Sequence, residues 1–302
     1  MKRHAAAVLF GLSLATTLIA TDYRVMGVIQ VKFLYRHGKD PSNEFLPGKT
    51  SFGIDGDIAK GFGYRLLISL GKDFKYSAFD IYGRYRFRYG EIRFGQFKPP
   101  FSMERLISFP KRDFIDNAII TGIVPARDMG VGFFGNFTFA ELNLALINGE
   151  GLNAVEINSM KDIILRIVSK YKFLRIGGAI YYGKSGPTDS IKPKNRYNLQ
   201  AEIKTPQICV RGELLFTQDD NTHGMGYYLQ AGMRFGQFEP VARYEFYDPG
   251  TGIQSDVKLR TAIGMNYYLK GYKLRLQVNY VIDRTRANEN SHTIKGLFQL
   301  MW

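Results

Sequence analysis

"VKLRTAIGMNYYLKGYKLRLQVNYV", residues 257–281, reads as two strands folded back on one short turn. In the first half Val257, Leu259, Ile263, Met265, Tyr267 and Leu269 share one face, opposite Lys258, Arg260 and Asn266. The second half repeats the pattern, with Tyr272, Leu274, Leu276, Val278 and Tyr280 against Lys273, Arg275, Gln277 and Asn279. Side chains alternate across a strand, so a period of two predicts strands with one apolar and one polar surface. Lys270-Gly271 between the halves leaves room only for a tight connection.

The same period continues outward along nearly the whole chain. Sixteen segments carry it, near 22–36, 49–59, 61–71, 76–89, 90–97, 127–137, 138–148, 161–172, 173–184, 195–205, 206–217, 224–236, 237–248, 256–270, 271–283 and 292–302. Their connections alternate between tight turns, such as Tyr89-Gly90 and Lys172-Phe173, and longer polar stretches, such as "HGKDPSNEFLPGK", "TQDDNTHG" and "DRTRANENS". Short turns at one end and long loops at the other are the pattern of a membrane barrel. A soluble β-sandwich also alternates, but its type has about seven strands and needs an apolar core between two sheets. Here the second face is too charged to be a core. The expected fold class is therefore all-β: a transmembrane antiparallel β-barrel of sixteen strands, apolar outside and polar within.

Composition agrees with export to such a place. Lys2 and Arg3 precede the apolar run Ala5–Ala20, which is shorter than the span of about 20 residues a membrane helix needs. Residues 1–20 read as a signal peptide and 21–302 as the barrel. A single cysteine, Cys209, excludes an internal disulfide and a multi-cysteine metal site. No nucleophile elbow, zinc-protease or phosphate-loop motif occurs, so neither an enzyme nor a cofactor is expected. A barrel enzyme and a plugged structural barrel remain the rival classes. The chain ends "IKGLFQLMW", with Ile294, Gly296, Phe298, Leu300 and Trp302 in step, a final strand of the kind presented to barrel-assembly machinery.

The polar face is basic, in a chain of formal net charge +14. Parity puts Arg84, Arg86 and Arg88 on one face, in a row at about 6–7 Å spacing. Arg93 follows on the next strand, and Arg260 and Arg275 face the same interior. Guanidinium and ammonium rows filter anions, and the planar guanidinium can bind two oxygens of one oxyanion. The expected partners are thus small anions within and outer-membrane lipid without, and not nucleic acid. The plainer alternative is a basic wall neutralised by acids, giving a general, weakly selective pore.

One connection breaks the rhythm. From Lys98 to Ala126 no strand period appears, and Pro99-Pro100 forces the chain out of the ladder. A loop this long is usually functional, and a barrel this wide needs narrowing. The stretch 98–126 is expected to fold into the lumen as a constriction. It would bring Lys98, Arg105, Lys111 and Arg112 inward, with Arg127 at its end, and anchor on Phe101, Met103, Leu106, Ile107 and Phe109.

"RFGQFKPPFSMERL" (93–106), "FI" (114–115), "PARDMGVGFFG" (125–135), "PVARYEFYD" (240–248) and "IGMNYYLKGYKLRLQVNY" (263–280) resemble the phosphate-selective porins O and P of Gram-negative outer membranes. That resemblance implies a sixteen-stranded barrel, a homotrimer and uptake of phosphate or other anions. It also implies an arginine ladder, for which Arg84, Arg86, Arg88 and Arg93 are the positional equivalents, and lysines at the constriction.

Overall fold

A computed structural model describes residues 22–37, 41–71, 75–252, 256–285 and 288–302. The expected signal peptide lies outside the described residues. Strands β1 (Asp22–His37), β2 (Ser42–Pro47), β3 (Thr50–Ala59), β4 (Phe62–Leu70), β5 (Tyr76–Phe87) and β6 (Gly90–Phe97) precede the long connection. After it come β7 (Asp128–Asn136), β8 (Ala140–Ile147), β9 (Asp162–Tyr171), β10 (Leu174–Ser185), β11 (Lys192–Lys204) and β12 (Ile208–Asp219). The wall ends with β13 (Thr222–Met233), β14 (Phe238–Asp248), β15 (Lys258–Tyr268), β16 (Leu274–Thr285) and β17 (Asn288–Met301).

From β3 onward each strand pairs antiparallel with the next, and β1 pairs with β17 from Val28↔Met301 to His37↔His292, closing the sheet. On its other edge β1 pairs with β3 over Asp22–Val28 and with β2 over Val31–Arg36. β2 and β3 therefore fill one place in the wall, and the seventeen described strands make a sixteen-position barrel. Gly48 and Lys49 form the interruption between them, where Gly48 N–H still donates to Gln30 O at 2.8 Å. At the seam, Gly27 exchanges backbone hydrogen bonds with Trp302, and a Cβ on Gly27 would lie 2.1 Å from the indole. Glycine is what lets the terminal ring lie across the closing strands.

β15 and β16 show the alternation most plainly. Ile263, Met265, Leu276, Val278 and Tyr280 are exposed on the exterior, whereas Asn266, Arg275, Gln277 and Asn279 are buried within. An apolar exterior opposite a buried polar interior inverts a soluble fold.

Three stretches read as long loops prove partly strand. Ser42–Pro47 pairs with β1, the turn between β12 and β13 shrinks to Asp220 and Asn221, and β17 begins at Asn288. The physical reason is that polar, Gly-poor sequence above the apolar belt still completes its ladder when a partner strand is present.

Candidate functional site: a cationic cluster on the inward loop

The connection between β6 and β7 crosses the lumen and lies on the inner face of the opposite wall. It contains a short helix, α1 (Met103–Leu106), and two 3-10 turns, Phe109–Lys111 and Ile119–Ile123. Apolar seats hold it. Phe101 meets Tyr181 of β10 edge-on at 6.1 Å. Phe114 sits among Val241, Ala262 and Val281, three inward positions of β14 to β16. Ile120 approaches β13 where Gly226 has no side chain; a Cβ there would be 2.6 Å from the isoleucine. Of the expected anchors, Phe101 and Met103 are buried, while Leu106, Ile107 and Phe109 are only half-buried. Phe114, Ala118, Ile120 and Val124 do the rest, and their spacing carries no strand or helix period that would have marked them.

Carboxylates staple the loop as well. Glu213 of β12 accepts from Ser102 Oγ, Met103 N and Glu104 N at 3.0, 3.0 and 2.9 Å, which satisfies the start of α1. Glu104 in turn pairs with Arg243 at 3.1 Å, and Glu245 accepts from Ile119 N at 2.5 Å. Asp113 bridges Arg211 and Gln230 at 2.8 and 2.7 Å. Burial pushes the Asp113 carboxyl above its usual range, against the pull of Arg211. Asp116 holds Lys32 of β1 at 2.9 Å and Lys295 of β17 at 2.6 Å. Burial would raise Asp116, but Lys295 and Lys32 hold it well below the usual carboxylate range. The loop's acids are thus spent on the wall's bases.

The loop's bases are left over. Lys98 donates only to the carbonyls of Leu106 and Ile107, at 3.2 and 3.0 Å. Arg105 donates to Val124 O at 3.0 Å, and its Nε finds no protein partner. Arg112 is 6% exposed, and both its Nε and Nη1 lack a protein partner. Arg127 pairs with Asp80 at 2.9 Å, but Asp80 is shared with Arg65, also at 2.9 Å. Lys49, at the interruption between β2 and β3, faces the same group. Among the described residues, Asp80 is the one carboxylate within ion-pair distance of any of these five cations. Burial, then Arg127 and Arg112, press the Lys98 ammonium well below its ordinary pKa. Burial, then Arg105, Arg127 and Arg243, bring Arg112 down to about 10 against the pull of Glu104. Arg112 thus stays charged at neutral pH, with two N–H groups still to donate. Buried donors without acceptors and like charges without counterions make a site whose energy falls when an anion enters.

The other sequence candidates behave differently. Arg84 is held bidentately by Asp55 at 2.9 and 2.7 Å, and Arg86 pairs with Asp57. Arg93 donates to Glu91 at 2.6 Å and lies over the Phe134 ring. Arg88 falls beyond the end of β5, exposed in the tight turn over Tyr89, so it is not the third rung of an inward row. Arg260 pairs with Asp283 at 2.6 Å. Arg275 is buried and donates to Arg112 O at 2.8 Å, which makes it a support of the loop rather than a passage residue. Lys111 is exposed and forms no ion pair among the described residues. The structure thus gathers Lys98, Arg105, Arg112 and Arg127, and neutralises or displaces Arg84, Arg86, Arg88, Arg93, Lys111, Arg260 and Arg275. Lys49 was missed because it lies in a stretch that reads as an outer loop.

The fold has parallels among solved outer-membrane proteins. DcaP, an outer-membrane channel of Acinetobacter baumannii, superposes with a TM-score of 0.73 at 11% identity, over 93% of this chain and 97% of that one. The barrel has the porin fold. An anion-selective porin from Comamonas acidovorans gives a TM-score of 0.73 at 12% identity, over 93% of this chain and 99% of that one. OmpF of Salmonella typhi gives 0.71 at 10% identity, over 92% of this chain and 97% of its own. In sequence, an uncharacterized protein of Aquifex aeolicus is 35% identical over 77 residues, 23% of this chain and 19% of that protein's length. No family model matches the chain.

Proposed function

We propose that this chain is an outer-membrane channel for the passive diffusion of small anions, with phosphate-like oxyanions as the favoured class. One observation carries the reading. Lys98, Arg105 and Arg112 of the inward loop, with Lys49 and Arg127 beside it, form a cationic group served by one shared carboxylate inside a barrel of porin fold, and Arg112 and Arg127 are buried. Guanidinium N–H groups lacking acceptors suit an oxyanion, because two oxygens of one ion can accept from one fork. Rings of such residues are the usual filter for anions and phosphate.

Several features support the setting. The exterior is an apolar belt that lipid would cover. Residues 1–20 have the build of a signal for export, and the strand ending at Trp302 suits recognition by barrel-assembly machinery. One similar structure, OmpT of Vibrio cholerae, is described in a trimer form, in keeping with the homotrimer that the sequence resemblance implies. The reading assigns no catalysis and no cofactor. A second reading, a weakly selective general porin, draws on the pairing of Arg84, Arg86, Arg93 and Arg260 with carboxylates.

The test is the reversal potential of the purified protein in a planar bilayer across a potassium chloride gradient. It should shift toward the chloride potential at low salt. It should fade in 1 M salt, where the screening length is about 3 Å. A shift toward the potassium potential at low salt would sink the reading.

A further inference from the structure

Beyond the apolar seats that the loop fills, the lumen has an apolar stretch that the loop leaves open. Leu46 of β2 and Leu297 of β17 face inward on the two strands that flank β1, each level with Lys32, and Phe79 bulges inward where the β4–β5 register shifts. The loop apex adds Ile115 from the opposite side. Between them lies a cavity of about 310 Å³, within the range of small-ligand pockets. Seating Ile115 does not account for it, because that side chain is only half-buried and the space beside it stays open. An apolar recess beside a water-filled passage costs free energy unless something apolar fills it.

Its charged lining is uneven. Lys32 is already taken by Asp116 at 2.9 Å. Lys49 also lines the cavity, is exposed to the passage and has no ion pair or side-chain hydrogen bond among the described residues. Arg105, Arg112 and Arg127 stand near it, and Asp116, its acidic neighbour, is held by two other ammonium groups. A lysine without an ion-pair partner among the described residues, at the mouth of an apolar recess, matches a ligand with one anionic end and one apolar body. Inorganic phosphate has no such body.

We propose that this chamber is a binding subsite for small organic carboxylates that carry an aryl or alkyl group. The carboxylate pairs with Lys49, and the apolar body rests on Leu46, Phe79, Leu297 and Ile115. The inference rests on the anion-channel reading, because the acid reaches the chamber from the passage, but its chemistry is separate from that of the loop arginines.

The experiment compares phenylacetate with acetate as blockers of chloride conductance in a planar bilayer. Both carry the same charge, so only the apolar body differs. Phenylacetate should halve the conductance at a concentration about tenfold lower than acetate, since burying even part of a phenyl ring is worth that much. Leu46→Asn should bring the ratio of the two concentrations to near one. Lys49→Gln should weaken phenylacetate more than it weakens chloride selectivity. Equal blocking of the wild type by both acids, with its chloride preference intact, would overturn the chamber and leave the channel reading standing. A tenfold ratio without chloride preference would do the reverse.

Discussion

Two inner walls of this barrel handle charge in opposite ways. Across β3 to β6 the strands neutralise themselves: Asp55 takes Arg84, Asp57 takes Arg86 and Glu91 takes Arg93. Across β12 to β17 the inward polar groups turn to the loop instead, as Glu213, Arg211, Gln230, Arg243, Glu245, Arg275 and Lys295 show. The first wall pairs most of its charge internally, and only Asp80 also reaches a cation outside it, Arg127. The second consumes the loop's acids and so leaves the loop's bases without partners. Net charge in a lumen is thus a poor guide to selectivity; what matters is which cations remain unpaired once the loop is seated.

The covered wall should be the more sensitive of the two. Glu213→Ala removes the acceptor for Ser102, Met103 and Glu104 together and leaves buried donors unsatisfied, at about 1–3 kcal/mol each. Single-channel conductance should rise several-fold as the loop leaves its seat, and unchanged conductance would break the contrast. Asp116→Asn comes next. It frees Lys32 and Lys295, so anion preference should strengthen and the loop apex should become easier to cleave with protease.

A smaller effect should follow pH. Lys98 is charged below its folded pKa, and that value is pushed well below normal by burial and by Arg127 and Arg112, with Lys49 also near and Asp80 opposing. As pH rises, Lys98 should lose its proton before an ordinary lysine would at about 10.4, and anion preference should fall with it. Lys98→Met should remove that step from the reversal-potential profile. The same sign governs stability: below the depressed pKa the buried charge is a cost, and it is relieved as pH rises. Least of all should follow from the bare wall. Replacing Arg84 by Gln and Asp55 by Asn together removes a neutral pair, so selectivity should scarcely move. Arg84→Gln alone would unpair Asp55 in part and should lower stability toward urea by roughly 1–3 kcal/mol.

Much of this was legible in the sequence. The period of two at 257–281, repeated along the chain, gives the barrel, its sidedness and nearly every strand. It does so because lipid and water sort alternate residues without appeal to tertiary detail. Pro99-Pro100 and the lost period likewise mark the inward loop. Parity then fails to separate cations that are paired from cations that are not. Arg84 and Arg112 look alike in sequence, yet one has a carboxylate across the ladder and the other has none. Arg88 was miscounted because the turn begins one residue earlier than the alternation suggests. Lys49 was hidden because β2 and β3 share one wall position, an interruption with no hydrophobic signature.

The claim that unpaired loop cations rather than strand arginines set the charge preference is tested most directly by one variant. Arg105→Gln with Arg112→Gln should be compared with wild type for reversal potential in a low-salt potassium chloride gradient. The account predicts that the shift toward the chloride potential is largely lost. A shift that survives undiminished would contradict it.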